Sequence, residues 1–408
     1  MSTATEPGAL APIPPHVPPD LVYDFDPTLG AGMDSDPYAV IAALAGRPRI
    51  FWTRRGLKPQ GTWFLTRAED MRAVLQRPEL FSSRKSVQFS ALIGEDWDLI
   101  PTELDPPRHT AVRAWLNPLL SPNRMAVIED GARTTCVDIL ESLRARGGCE
   151  FVREFAQPFP VSVFLRLMGL PLGELARFCD WVNGLLHGID LPARARAAGE
   201  IKRYLLGVID DRRAAPGEDL VGEALKARID GQPFTRDELL GFCFLVFGGG
   251  LDTVAASLGF WFRHLAEHPG LQARLRARPE IAGDAVEELL RRFSIVTTQR
   301  CALADTEIAG VRIRAGDWIA CTLPMASVDP AEAGDPLTVD FDRPNKGHLT
   351  FSIGPHRCVG SHLARRELRI ALEEWAARMP PFRLAPGRSP RVHAGGVFGV
   401  DELHLAWD

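Results

Sequence analysis

Residues 349–379 read "LTFSIGPHRCVGSHLARRELRIALEEWAARM", a loop with Gly and Pro that runs into an amphipathic helix. Leu363, Leu368, Leu372 and Trp375 fall near one helical face, and Cys358 comes just before the helix begins. A helix start offers N–H donors and partial positive charge, which lower a thiol's pKa and favour the thiolate as a metal ligand. Gly354 and Gly360 let the backbone approach a flat cofactor closely. On these residues alone Cys358 is either a liganding thiolate or an ordinary small buried residue, and both readings stand.

A second stretch, "FCFLVFGGGLDTVAASLGFWF" (242–262), is apolar yet interrupted near its middle by three glycines, an aspartate and a threonine. At about 1.5 Å per residue it has the length of a ~30 Å bilayer core. The glycines each cost a helix interior about 1 kcal/mol, and a carboxylate in lipid costs more. A buried helix of a soluble protein therefore fits better than a membrane span.

The chain has 408 residues, 46% hydrophobic and 24% charged, enough for a sizeable core. With 47 basic and 52 acidic residues its net charge is −5, which gives no general drive toward nucleic acid or an anionic membrane. The first residues, 1–22, are rich in proline and lack the cationic head and apolar core of a signal peptide; they read as an extended arm on a cytoplasmic protein. The seven cysteines are odd in number and contain no CxxC pair, against a disulfide framework or zinc ribbon.

Periodicity predicts a helix-rich chain with a minor β part. A hairpin is expected in 49–66, "RIFWTRRGLKPQGTWFLT", with further strands in "TEIAGVRIRAGDWIACTL" and "VFGVDELHLAW". Helices are expected in "RMAVIEDGARTTCVDILESLRARGG" and "AGDAVEELLRRFS".

The order Phe351, Gly354, His356, Arg357, Cys358, Gly360, with Ala364 in the following helix, resembles the haem-binding loop of the cytochromes P-450, the haem-thiolate monooxygenases. Gly249-Gly250-Leu251-Asp252-Thr253 resembles the motif of that family's long distal helix. The resemblance runs from about residue 30 to the end. It is closest to the soluble bacterial camphor monooxygenases, through "GGLDTV", "EELLRRFS" and "HLARRE". It implies one mainly α, prism-shaped domain with a small β region over 23–408, following the arm of 1–22. It also implies haem b and O2, with one oxygen atom inserted into a C–H bond and electrons passing from NAD(P)H through a ferredoxin reductase and a [2Fe–2S] ferredoxin.

Carried over residue by residue, Cys358 is the proximal iron ligand, Phe351 shields its sulfur, and Gly360 leaves room beside the porphyrin. Thr253 supplies a hydrogen bond and Asp252 relays protons on the distal side, and a threonine hydroxyl bonded four residues back would open the helix slightly. His109 and Arg113, Arg300 and His356 match the propionate-binding positions. Glu288, Arg291 and Arg343 match a structural set that supports the cysteine loop. Arg72, Arg113, Arg365 and Arg366 are candidates for a basic ferredoxin-docking patch on the proximal face. Each of these, taken singly, also reads as an ordinary core or solvated group.

Two pocket positions depart from the camphor pattern. Trp97 stands where a tyrosine holds the camphor ketone, and Gly248 stands where valine is found. With Val87, Leu99 and Leu245 they imply a reshaped pocket for a small, apolar, ring-bearing substrate of terpenoid or norisoprenoid (ionone-like) type rather than camphor. The competing readings are a peroxide-driven haem-thiolate oxygenase, a non-catalytic haem sensor, and a zinc hydrolase built on His348, His356, Cys358 and His362.

Overall fold

In the computed structural model, residues 10–188 and 190–408 are described; residues 1–9 of the Pro-rich arm lie outside them. The chain divides into two compact units. The first comprises Met1–Ser86, Glu287–Arg357 and Arg391–Asp401, the second Val87–Val286, Cys358–Pro390 and Glu402–Asp408.

The first unit holds the main sheet. The expected hairpin is present: Ile50–Thr53 pairs antiparallel with Thr62–Leu65, Ile50 opposite Leu65 and Thr53 opposite Thr62. Every residue of these two strands is buried, which is why the segment is aromatic and β-branched rather than alternating. Phe51 and Phe64 stack at 5.7 Å. Gly61 turns the chain at φ 85°, and a Cβ there would lie 2.2 Å from the Trp52 ring, so only glycine fits. Thr62–Leu65 then runs parallel to Trp318–Thr322, whose other edge pairs antiparallel with Thr297–Ala302 and, beyond it, Phe81–Ser82. The described part of the arm lies along this sheet: Val22 bridges Trp52, and His16 Nε2 lies 2.7 Å from Asp317 Oδ2.

The second unit is helical. Its central element is Arg236–Leu251 followed directly by Thr253–Glu267. A capping box starts it: the Thr235 side chain accepts from the Glu238 N–H, and the Glu238 carboxylate accepts from the Thr235 N–H. The combined segment Arg236–Glu267 is long and apolar enough to cross a membrane, but 67% of its most apolar window is buried in the protein. Gly241 makes its entry possible, since a Cβ there would sit 2.0 Å from the Asp98 carbonyl.

The cysteine helix, Ser361–Arg378, lies against Pro122–Arg144 and is bound to it by charge. Arg133 Nη2 donates to Glu373 at 2.9 Å and its other nitrogen meets Glu374, while Arg366 pairs with Glu129. Trp375 inserts among Phe151, Phe155 and Phe262, with ring centroids 4.8 to 5.4 Å away. A three-stranded antiparallel sheet, Gly148–Glu150, His404–Trp407 and Phe382–Leu384, closes the unit.

Candidate active site

The cysteine loop is shaped before it reaches Cys358. Gly354 has φ 75°, and a Cβ there would lie 2.5 Å from the Leu75 carbonyl; its own carbonyl accepts from the Arg357 N–H at 3.0 Å. Helix Ser361–Arg378 starts three residues after the cysteine, with Gly360 as N-cap. Cys358 is the one exposed cysteine: Cys136, Cys149, Cys243 and Cys321 are buried, and Cys179 and Cys301 are half-buried. Burial pushes the thiols of Cys149, Cys243 and Cys321 up to about 12, that of Cys179 to about 11, and that of Cys136 higher still. These five are protonated and inert at neutral pH, and Cys358 alone joins exposure to a helix N-terminus.

Val359 and Leu363, on either side of the first turn, pack on the same hydrophobic core as Phe244, Phe247 and Leu251. The cysteine turn and the middle of the central helix therefore share one core. At that middle the helix breaks. Asp252 lies between its two segments at φ −94°, ψ −38°, and Thr253 Oγ1 donates to the Gly249 carbonyl at 3.0 Å. This is the back-bond to the fourth preceding residue expected of the threonine. Gly249 and Gly250 are exposed within an otherwise buried stretch, and a Cβ on Gly249 would meet nothing within 4 Å. The open space over Gly249, with an exposed cysteine on the same core, fits a flat group ligated by a thiolate. A Cβ at Gly360 would be 3.9 Å from Cys358 Sγ, ordinary contact distance, so its smallness spares room rather than relieving a clash.

Asp252 is buried, and its Oδ1 lies 2.8 Å from His187 Nε2. Nothing in the sequence marked His187, because it is remote in the chain and belongs to no motif.

The pocket residues gather in the second unit. Trp97 is buried against Phe244, rings 5.0 Å apart, and the Phe89 ring lies 5.8 Å from Phe244. A Cβ on Gly248 would come within 3.2 Å of the Phe89 ring, so the space left by this glycine is taken up by an aromatic edge. Leu99 is buried, Leu245 half-buried and Val87 exposed. The Trp97 indole N–H is already used: it donates to Glu95 Oε2 at 2.7 Å, and Lys202 pairs with the other carboxylate oxygen. Burial works against ionising Glu95, but the Lys202 and Trp97 hydrogen bonds outweigh it and hold the carboxyl below its ordinary range. The Trp97 indole N–H is thus occupied, and the residue presents only ring carbons to its other neighbours. A further residue missed by sequence reasoning is Glu103. Its buried carboxylate accepts from the backbone N–H groups of Val87, Gln88 and Leu99 at 2.8, 2.9 and 3.0 Å, tying the pocket-forming segment together. Only its place in "ELDPP" hinted at a fixed turn.

The propionate candidates divide between the units. His109 is buried and Arg113 half-buried, four apart on helix Arg108–Leu119, with Arg113 Nε donating to Asn117 Oδ1 at 2.8 Å. Arg300 is buried in strand Thr297–Ala302, donating to the Gln299 carbonyl at 2.8 Å, and His356 and Phe351 are half-buried in the cysteine loop of the first unit.

Also in the first unit, Glu288 and Arg291 form a two-pronged pair at 2.8 and 2.9 Å, and Arg343 Nε joins Glu288 Oε1 at 3.0 Å. The two guanidinium groups then bond the carbonyls of Asp335, Pro336 and Thr338, so the set knits helix Ala282–Arg292 to the following loop. Among the arginines considered for docking, Arg72 meets Glu332, and Arg366 meets Glu129. Among the described residues, no compact trio of metal-ligating side chains contains Cys358, His348, His356 or His362, so these four do not form the cluster that the zinc-hydrolase reading needs.

A helix-rich unit with an exposed cysteine just before a helix start, whose first turn shares a core with a central helix broken at an acid–alcohol pair, fits the arrangement of a haem-thiolate oxygenase. Comparison with known proteins agrees. The family model described as cytochrome P450 matches residues 190–282 and 280–375. Probable cytochrome P450 127A1 of Sinorhizobium fredii (strain NBRC 101917 / NGR234) is 40% identical over 403 residues, 97% of each chain. Pentalenic acid synthase of Streptomyces avermitilis is 30% identical over 99% of this chain and all of its own. The crystal structure of cytochrome P450 CYP101C1 superposes with a TM-score of 0.88 at 34% identity, covering 97% of this chain and 100% of that one; CYP101J2 gives 0.87 at 34%, over 98% and 100%. The chain belongs to the cytochrome P450 family and is a monooxygenase, an oxidoreductase that works with haem, dioxygen and electrons from a redox partner.

Proposed function

We propose that the chain, with 23–408 as one haem domain, is a cytoplasmic, ferredoxin-fed hydroxylase of small, apolar, ring-bearing compounds of terpenoid or norisoprenoid type. The observation that carries the substrate class is the aromatic cluster of Phe89, Trp97 and Phe244, with the Phe89 ring against Gly248 and the Trp97 indole donor bound to Glu95. Such a cluster selects by shape and apolar contact, and gives a ketone no hydrogen bond from Trp97.

In this reading Cys358 holds the haem iron as a thiolate, and His109, Arg113, Arg300 and His356 meet its propionates. The haem supplies oxygen activation, strengthened by electron donation from the thiolate. Thr253 offers its hydroxyl at the helix break and Asp252 delivers protons there. A [2Fe–2S] ferredoxin docks on the proximal face, with Arg72, Arg113, Arg365 and Arg366 as the candidate basic patch.

Purified holoenzyme is titrated with ionone-like ketones, the corresponding hydrocarbons, and camphor, following the low-to-high-spin shift. The ring-bearing compounds are expected to shift it more completely than camphor; a complete shift with camphor alone overturns the substrate reading. Trp97→Phe is expected to weaken ketone and matching hydrocarbon by the same factor. A hydrogen bond from Trp97 to the ketone would instead weaken the ketone alone by a further ~2–10-fold.

Asp252→Asn is expected to lower ferredoxin-supported turnover by about 10²-fold or more, the usual scale of general acid–base catalysis. Thr253→Ala is expected to divert reductant into peroxide. Product and peroxide formed per NAD(P)H oxidised measure both effects. Turnover driven by hydrogen peroxide and unaffected by either change would favour the peroxide-driven alternative.

A further inference from the structure

The C-terminal end of the central helix carries three metal-ligating side chains at the i, i+3, i+4 spacing that brings residues together on one helical face. One ring nitrogen each from His264 and His268 and a Glu267 carboxylate oxygen all lie within 4.8 Å of one another. The two rings stack, with centroids 3.9 Å apart. His268 Nδ1 lies 2.8 Å from the His264 carbonyl, which only accepts, so Nδ1 carries the proton and the lone pair of the neutral ring is on Nε2. Liganding histidines commonly have their second nitrogen bonded in this way to a backbone carbonyl. Glu267 meets Arg263 Nε through one oxygen at 3.4 Å, and its other oxygen can turn to an ion. The corner beneath is fixed from inside. His268 ends helix Thr253–Glu267 and precedes helix Pro269–Ala277, and its N–H bonds the Leu265 carbonyl. The buried Gln272 donates to the carbonyls of Leu265 and Phe382 at 2.7 and 2.8 Å and accepts from the Phe382 N–H. Glu267 and His268 are exposed, and the last carbonyls of a helix favour a cation.

We infer that His264, Glu267 and His268 form a surface site for a divalent transition-metal ion of the Zn2+ type. Two imidazoles and a carboxylate are ligands that such an ion takes, whereas Ca2+ and Mg2+ require oxygen donors. A tetrahedral ion with bonds of about 2.0–2.1 Å holds its donors about 3.3 Å apart. The exposed Glu267 and His268 side chains can close to that spacing, with water in the fourth position. The bound ion clamps the last turn of the central helix to the corner that leads into helix Pro269–Ala277.

Tag-free holoenzyme, cleared of loose metal with a chelator, is titrated calorimetrically with Zn2+ alone, and bound zinc is measured apart from haem iron. The parent is expected to bind one more Zn2+ than His268→Ala. Glu267→Gln is expected to bind it at least about tenfold more weakly, because even loss of an outer-shell partner costs a metal site about 10–100-fold in affinity. Both residues are exposed, so the variants keep the fold, which the spectrum of the carbon monoxide-bound ferrous protein checks. Zn2+ is also expected to slow amide hydrogen exchange across residues 264–271 of the parent but not of His268→Ala, and excess Mg2+ should not reverse this. No zinc bound by the parent, or binding equal to the parent in both variants, overturns the site. Displacement of zinc by Mg2+ overturns the class of metal, and zinc binding without slowed exchange overturns the clamp.

Discussion

Replacing Cys358 by alanine is expected to abolish oxygenase activity while leaving the fold in place. The ferrous protein exposed to carbon monoxide should lose the strongly red-shifted Soret band that marks a thiolate ligand. Of the six other cysteines, five have thiols that burial holds protonated, and Cys301 lies half-buried in strand Thr297–Ala302, away from any helix start. The side chain of Cys358 is exposed, so its loss opens no cavity, and the haem-free chain should unfold within about 0.5 kcal/mol of the parent. The two readouts therefore separate. A parent-like Soret band in Cys358→Ala would remove the thiolate assignment, whereas a large loss of stability would show that the residue also carries packing. Cys358→Ser tests the same point with the side-chain size retained.

The fold and the motif residues were legible because they are local. The hairpin of 49–66 is written in aromatic and β-branched runs around a glycine-bearing turn, and the broken central helix in "GGGLDT"; both patterns act within a few residues, where sequence spacing and spatial spacing agree. What escaped depends on contacts between remote segments. His187 and Asp252 are 65 residues apart, and Lys202 meets Glu95 across 107. Trp97 shows the consequence most directly. Its indole N–H is a donor by residue type, but the donor's direction is set by Glu95 two residues earlier and by Lys202 on helix Leu191–Ala214. The residue type defines what an atom can do, and the tertiary neighbour defines where it is spent. The arginines are a similar case. The resemblance offered four of them as a basic patch, while Glu332 and Glu129 meet Arg72 and Arg366 from remote parts of the chain.

Glu288→Ala is expected to be the most destabilising single change in the first unit. The Glu288 carboxylate is fully buried and accepts from Arg291, Arg343 and the Asp340 backbone N–H. Removing it leaves the buried Arg291 guanidinium without its counter-ion, a loss of about 3–5 kcal/mol by analogy with broken buried pairs. That is a large share of the stability of an ordinary domain. Replacing both members of such a pair by apolar residues is often harmless elsewhere, but not here. Arg291 and Arg343 also satisfy the carbonyls of Asp335, Pro336 and Thr338, and apolar substitutes would strand them. Glu288→Gln keeps the shape and two acceptor sites without the charge, so it should lose less than Glu288→Ala, and Arg291→Lys should lose more than a charge-only argument allows because an ammonium cannot make the two-pronged contact. Urea unfolding of the three variants, followed by the red-shifted Soret band and by far-ultraviolet circular dichroism, measures the order. Equal midpoints for Glu288→Ala and the parent would mean that the set is dispensable; loss of the Soret band at lower urea than loss of helix would mean that the set acts first on the segment leading to Cys358.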